Sequence, residues 1–223
     1  MSTAGAGSGA HTDAIHIDYR LYLVTDRDLM SSATIEQNVD EACKGGVTLV
    51  QLREKHASTA EFASIARSVK AITDSYGVPL IINDNVEVAA AVDAAGVHVG
   101  QDDMSPVEAK RQLGEGKVVG VSVATVEEAI EAQLNGADYL GVGAMSFTAT
   151  KPDARVVDIQ TVPKILNAVS IPCVVIGGIN ALTIPRFAGM RLDGFSIVSA
   201  IVAASDVEAS ARNLRTLIDS QLG

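Results

Sequence analysis

Two textures alternate along the chain from Arg20 onward. Short aliphatic runs (LYLV, VTLVQL, VPLII, VHV, VVGV, YLGV, CVVI and GFSIV) are each followed by a stretch whose apolar residues recur every three or four positions. The unbroken runs fit strands buried on both faces, and the spaced stretches fit amphipathic helices. Polar pairs mark the helix starts. Thr34 with Gln37, Ser58 with Glu61, Thr125 with Glu128 and Ser205 with Glu208 read as capping boxes, and Ser105, Pro106 and Glu108 supply a cap, an N1 proline and the box glutamate. A short helix over VEVAAAVDAAG, one over DIQTVPKILNAV and one around Thr183 complete the pattern. Strict strand–helix alternation implies parallel strands joined by right-handed crossovers, and eight such units close a barrel. The expectation is an α/β fold, a single (βα)8 TIM barrel over residues 19–223, after a flexible leader at 1–18. A doubly wound open sheet is disfavoured because no G-x-G-x-x-G follows the first strand and polar residues follow nearly every strand.

Composition sharpens this picture. Of 223 residues 48% are hydrophobic but only 4% aromatic, with no Trp, so the core must be built from Val, Ile, Leu and Ala. A net charge of −10 argues against nucleic acid and anionic membranes as partners, while leaving room for an anionic small molecule met by a few convergent cations. Cys43 and Cys173 lie far apart in apolar segments and read as buried, reduced thiols. The opening MSTAGAGSGAHTDA has neither a basic n-region nor an apolar h-region, and no apolar run reaches the roughly 20 residues that cross a bilayer. A cytoplasmic protein is expected, a homo-oligomer being one open option.

In such a barrel chemistry sits at the C-terminal ends of the strands. IINDN and GVHVGQDDMSP bring Asp84 and Asp103 to one rim, where two carboxylates repel unless a cation, most naturally Mg²⁺ with a phosphate-type ligand, lies between them. The alternative is that both cap the following helices. Gln51, Arg53 and Lys55 alternate in phase at the end of the second strand; there the plainer reading is a solvated exit with Glu54 paired to a neighbouring cation. Ser122 is not required as a cap, since Thr125 fills that role. Thr148, Thr150 and Lys151 occupy a long loop after strand six that reads as a lid. Gly177, Gly178, Val198 and Ser199 end strands seven and eight, where backbone N–H groups often hold phosphate, although a glycine pair can be only a tight turn. His98 lies within strand four and reads as packed. With no evident nucleophile or base, the chemistry should rest on charge and positioning.

Taken in order, QLREK, IIND, HVGQDD, GVS, TATK, IGGI and VSAI resemble the thiamine-phosphate synthase family from about Tyr22 to Ile201. The resemblance implies a (βα)8 enzyme that joins hydroxymethylpyrimidine diphosphate to a thiazole phosphate, or its carboxylated precursor, and releases pyrophosphate. It implies Asp84 and Asp103 as Mg²⁺ ligands and Arg53, Lys55, Asn83, Ser122 and Lys151 as diphosphate or pyrimidine ligands. It further implies Gln51 as a pyrimidine contact, with Thr148, Thr150, Gly178, Val198 and Ser199 around the thiazole phosphate. Asn85 stands where the family usually has arginine, and Phe147 where it usually has proline. Rival readings are a synthase-like paralogue that aromatises the thiazole, a phosphosugar isomerase or aldolase, and a non-catalytic phosphate sensor. The full cation and carboxylate set argues against the first. The lack of a placed base or Schiff-base lysine argues against the second.

Overall fold

A computed structural model describes residues 16–147 and 155–222. Eight parallel strands, β1 (Leu21–Val24), β2 (Leu49–Leu52), β3 (Leu80–Asn83), β4 (Gly96–Val99), β5 (Val118–Val123), β6 (Tyr139–Val142), β7 (Cys173–Ile176) and β8 (Gly194–Ile197), form a closed barrel in sequence order, with β8 pairing back onto β1. The expected TIM barrel is therefore present. Strands this short expose little edge, and closure leaves none unpaired.

Six helices, α1 (Ile35–Lys44), α2 (Thr59–Ser75), α3 (Val86–Ala91), α4 (Pro106–Leu113), α5 (Val126–Leu134) and α6 (Val162–Ala168), follow strands one to six. Thr34, Ser58, Ser105 and Thr125 accept from the N–H three residues on, as the capping pattern requires. The far side departs from the expected scheme. Among the described residues no α-helix follows β7, only a 3-10 turn at Ile184–Phe187; Thr183 makes no capping bond with its side chain, and Pro185 inside the turn donates no N–H. Two helices follow β8 instead, the single turn α7 (Ser199–Val202) and the long α8 (Val207–Leu222), which packs against α1. The cap of α8 is Asp206, whose carboxylate takes the Ala209 N–H at 2.8 Å, one residue beyond the expected Ser205.

One apolar core fills the layer between strands and helices, and a smaller one, including Tyr19, Tyr22, Leu49, Ile81, Tyr139 and Val174, fills the lower barrel interior. Ile17, within the segment expected to be a leader, is buried against that second core; residues 1–15 lie outside the described set. Two tyrosine rings occupy space that aliphatic side chains would otherwise share, and Gly120 makes this possible, because a Cβ there would collide with the Tyr139 ring. Cys43 and Cys173 are both buried and free. Burial pushes both thiols up to about 12, which keeps them protonated. No helix among the described residues is long and apolar enough to cross a membrane.

Candidate active site

Three adjoining cavities open at the C-terminal end of the barrel. The central one, about 150 Å³, is lined by alternate residues of the strands, among them Gln51, Arg53, Asn83, His98, Ser122 and Ser196. This is the inward set that a two-residue period predicts. An outer cavity of about 620 Å³ shares Arg53, Asn83 and Asp84 with it and adds Lys55. A second outer cavity of about 560 Å³ shares Ser122, Gly141, Ile176, Ser196 and Val198, and adds Gly177, Gly178 and Ser199. The small chamber thus joins a side carrying Arg53 and Lys55 with the carboxylates Glu54, Asp84 and Glu87 to a side whose glycines and serines stand beside Asp102, Glu128 and Arg155. A larger cavity, about 710 Å³, lies at the opposite end of the barrel, where Arg20 pairs with Asp18 at 2.6 Å, Lys110 with Asp138 at 2.7 Å and Lys117 with Asp93 outside the cavity, while Asp193 accepts the Cys173 N–H at 2.8 Å.

At the end of β2, Gln51 is buried and donates from Nε2 to the Tyr22 hydroxyl at 2.6 Å. Arg53 is held by its N–H on Thr25 Oγ1 (3.0 Å) and by its guanidinium near the buried Asp26 carboxylate (3.4 Å). Glu54 does pair with a cation, but that cation is Arg27, through two bonds of 3.1 and 2.9 Å. The Glu54 carboxylate is therefore engaged away from the inward-facing Arg53.

The end of β3 separates two acidic or amide residues by role. Asn85 caps α3, its Oδ1 accepting from the Val88 N–H at 2.9 Å, so Asp84 is not the cap. Asp84 itself sits at φ 60° with its N–H on the His98 carbonyl at 2.8 Å. A left-handed backbone is uncommon outside glycine, and such residues gather at functional sites. On the next strand the chain turns sharply after Gly100, whose N–H donates to Asp103 Oδ2 at 2.7 Å. Ser105 caps α4, which leaves Asp103 outside that cap as well. Gly100 and Asp84 both line the central cavity, whereas Asp103 lines none of the three and is tied to this rim through its bond to the Gly100 N–H. Among the described residues no three His, Cys, Asp or Glu side chains form a closed metal cage. A pair of hard oxygen donors on an open rim suits Mg²⁺, which keeps several waters and takes its remaining ligands from substrate phosphates.

Ser122 ends β5 with Oγ 2.9 Å from His98 Nε2, and His98 Nδ1 lies 3.0 Å from the Tyr139 hydroxyl. His98 is packed, as expected, with each ring nitrogen within hydrogen-bond distance of a side-chain hydroxyl. At the far side Gly177 (φ 97°) and Gly178 (φ 71°) both need the left-handed region, and a Cβ on Gly177 would lie 2.7 Å from that of Ala144. The tight-turn reading of this pair is correct, and the turn also lines the cavity with Ser199. Val198 and Ser199 lead into α7, where the N–H groups of Ile201 and Val202 both donate to the Val198 carbonyl at 3.0 Å and no side chain caps the turn. Arg155 pairs with Glu128, which also accepts the Ala124 N–H at 2.6 Å. Burial works against ionisation of Glu128, but that N–H and the guanidinium outweigh it and hold the carboxyl below its ordinary value. Thr148, Thr150 and Lys151 lie outside the described residues.

Sequence reading missed Tyr22, Tyr139 and Ser196, and missed what His98 holds. Ser196 Oγ is the one buried side-chain polar atom among the described residues with no hydrogen-bond partner, and it lines both the central and the glycine-side cavities. A signal existed: Tyr22, His98 and Ser196 share the inward phase of their strands with Val24, Gly100 and Val198.

The arrangement matches known proteins throughout. The family model of thiamine monophosphate synthase matches residues 21–201. Thiamine-phosphate synthase of Clostridium beijerinckii is 53% identical over 89% of this chain and 95% of its own length, and that of Ruminiclostridium cellulolyticum is 52% identical over 89% and 94%. The solved structure of thiamine phosphate pyrophosphorylase from Pyrococcus furiosus superposes with a TM-score of 0.85 at 38% identity, over 92% of this chain and 98% of that one. With one barrel, one rim and full-length similarity all in agreement, the chain belongs to the thiamine monophosphate synthase family.

Proposed function

We propose that the protein is a thiamine-phosphate synthase, a cytoplasmic transferase that couples hydroxymethylpyrimidine diphosphate to a thiazole phosphate and releases pyrophosphate. The observation that carries this reading is the small central chamber joining two dissimilar cavities, one bearing Arg53 and Lys55 and the other Gly177, Gly178 and Ser199, in a chain 53% identical to a named synthase. A two-substrate coupling needs such a junction.

In this reading Arg53, Lys55 and Asn83 hold the diphosphate in the cation-bearing cavity, with Lys151 as a further ligand. Gln51 contacts the pyrimidine in the central chamber, and Ser122 adds its hydroxyl there to the groups that hold the diphosphate. Thr148, Thr150, Gly178, Val198 and Ser199 hold the thiazole phosphate. Asp84 and Asp103 hold Mg²⁺, which when bound supplies positive charge to the leaving diphosphate. The reaction is dissociative: the carbon–oxygen bond to the diphosphate breaks, leaving a pyrimidine-methyl cation, and the thiazole nitrogen attacks that carbon. No general base is needed for either step. The contribution of Arg53, Lys55 and Lys151 is to neutralise charge that grows on the leaving group, and a narrow chamber limits capture of the cation by water.

The test is pyrophosphate release measured with both substrates, with and without chelator. Coupled thiamine phosphate should appear only when both substrates and Mg²⁺ are present. Aromatisation of the thiazole with no pyrophosphate release would favour the paralogue reading, and binding without turnover would favour a sensor.

A further inference from the structure

The barrel interior holds a continuous line of hydrogen bonds: Gln51 Nε2 to Tyr22 Oη at 2.6 Å, Tyr22 Oη to Tyr139 Oη at 2.7 Å, Tyr139 Oη to His98 Nδ1 at 3.0 Å, and His98 Nε2 to Ser122 Oγ at 2.9 Å. Both tyrosines are fully buried. We infer that this line is polarised from Gln51 towards Ser122, so that Tyr22, Tyr139 and His98 act as positioning residues that leave the Ser122 hydroxyl proton pointing at the substrate.

The direction follows from what each group can do. An amide nitrogen only donates. The Tyr22 oxygen accepts it, and passes its own proton to the Tyr139 oxygen. Tyr139 then donates to His98 Nδ1. A neutral imidazole that accepts at Nδ1 carries its proton on Nε2, so Nε2 donates to Ser122 Oγ. Ser122 receives one proton and keeps its own, which has only the cavity to face. Burial pushes both phenols well above their ordinary value, so neither link breaks by ionisation at neutral pH. Space for the rings is reserved by glycines: a Cβ on Gly120 would meet the Tyr139 ring, and one on Gly141 would lie 3.1 Å from His98 Cε1. The opposite polarity, with the Gln51 carbonyl accepting from Tyr22, would put the imidazole proton on Nδ1 and turn the Ser122 hydroxyl away from the cavity.

The identity of the group that Ser122 meets, a phosphate-type acceptor, rests on the proposed function; the polarity of the line does not. Two measurements keep them apart. In the ligand-free full chain labelled with ¹⁵N-histidine, long-range ¹H–¹⁵N correlation should show the His98 proton on Nε2, its signal assigned by its loss in His98→Gln. A proton on Nδ1 overturns the inference without any variant being needed. Calorimetry with inorganic pyrophosphate and Mg²⁺ then tests whether Tyr139 acts through Ser122. Tyr139→Phe should weaken binding about tenfold, and should weaken it no further in a Ser122→Ala background. Equal losses in both backgrounds would mean that Tyr139 has only a structural role, and would overturn the relay. If Tyr139→Phe does not fold, Tyr22→Phe one link earlier gives the same cycle. A chain that bound no pyrophosphate would overturn the functional reading, and the tautomer would still decide the relay.

Discussion

A buried hydroxyl without a partner is a debt that a folded protein usually avoids, and Ser196 carries one in the wall between two cavities. An unsatisfied buried polar group destabilises by about 1–3 kcal/mol. Ser196→Ala is therefore expected to raise ligand-free stability by about 1 kcal/mol in urea unfolding, and to weaken substrate binding in calorimetry. A variant no more stable than wild type, or one that binds both substrates normally, would refute this account. Asp84 poses the complementary case, a residue in a left-handed conformation at φ 60°. Asp84→Gly relaxes the backbone while removing the carboxylate; Asp84→Ala removes the same carboxylate but keeps the strain, and should be less stable than Asp84→Gly by about 1 kcal/mol. Both should lose Mg²⁺-dependent pyrophosphate release. Retained turnover in the glycine variant would remove Asp84 from the metal site. At this scale the sequence showed which residues were polar at strand ends; the orphan hydroxyl and the positive φ needed coordinates.

Elements explain the departures from the expected pattern. Asn85, a departure from the motif on which the family resemblance rests, is the N-cap of α3, and its amide oxygen releases Asp84 from that role. Asn85→Ala should lower stability by about 1 kcal/mol, and Asn85→Asp should restore it, read from thermal unfolding. If the alanine variant were as stable as wild type, the capping account would fail. Helix starts were legible because capping is local: Thr34, Ser58, Ser105 and Thr125 lie three residues before the N–H groups they accept from. The missing helix after β7 was not legible. Its place is taken by a 3-10 turn entered through a tight loop in which Asn180 Oδ1 accepts from the N–H groups of Leu182 and Thr183 (2.9 and 3.2 Å), a role that a local asparagine shares with ordinary loops.

For the molecule as a whole, closure of the barrel buries tyrosines and thiols that titrate only at high pH. Tyr19, Tyr22 and Tyr139 are raised above 10.0, chiefly by burial, and Cys43 and Cys173 are raised from 9.0 to about 12. In the unfolded chain these groups lose protons near their ordinary values, so between pH 9 and 12 the unfolded state binds fewer protons than the folded one. Stability should be fully present below pH 9 and decline as pH rises through this window. The urea midpoint should be constant from neutral pH to about pH 8.5 and then fall, with tyrosinate absorbance beyond that of the exposed Tyr76 appearing only as the protein unfolds. Tyrosinate signal from more than one residue in a still-folded protein at pH near 10 would contradict the burial, since Tyr76 alone among the four tyrosines is exposed.

Hydrophobic periodicity determined the eight strands, their parallel sense and the rim at which chemistry gathers, because period-two and period-3.6 patterns are properties of the local chain. The same strand-end reading brought Asp84, Arg53 and Lys55 to one cavity and Gly177, Gly178 and Ser199 to another. Only the tertiary structure decided what lies between them. Tyr22 and Tyr139 are 117 positions apart, and their 2.7 Å contact exists because curvature of the closed sheet turns non-neighbouring strands, β1 and β6, to face each other across its axis. A linear pattern records which face a residue takes, while the partner it meets across the barrel depends on strand stagger and on the gaps left by Gly120 and Gly141.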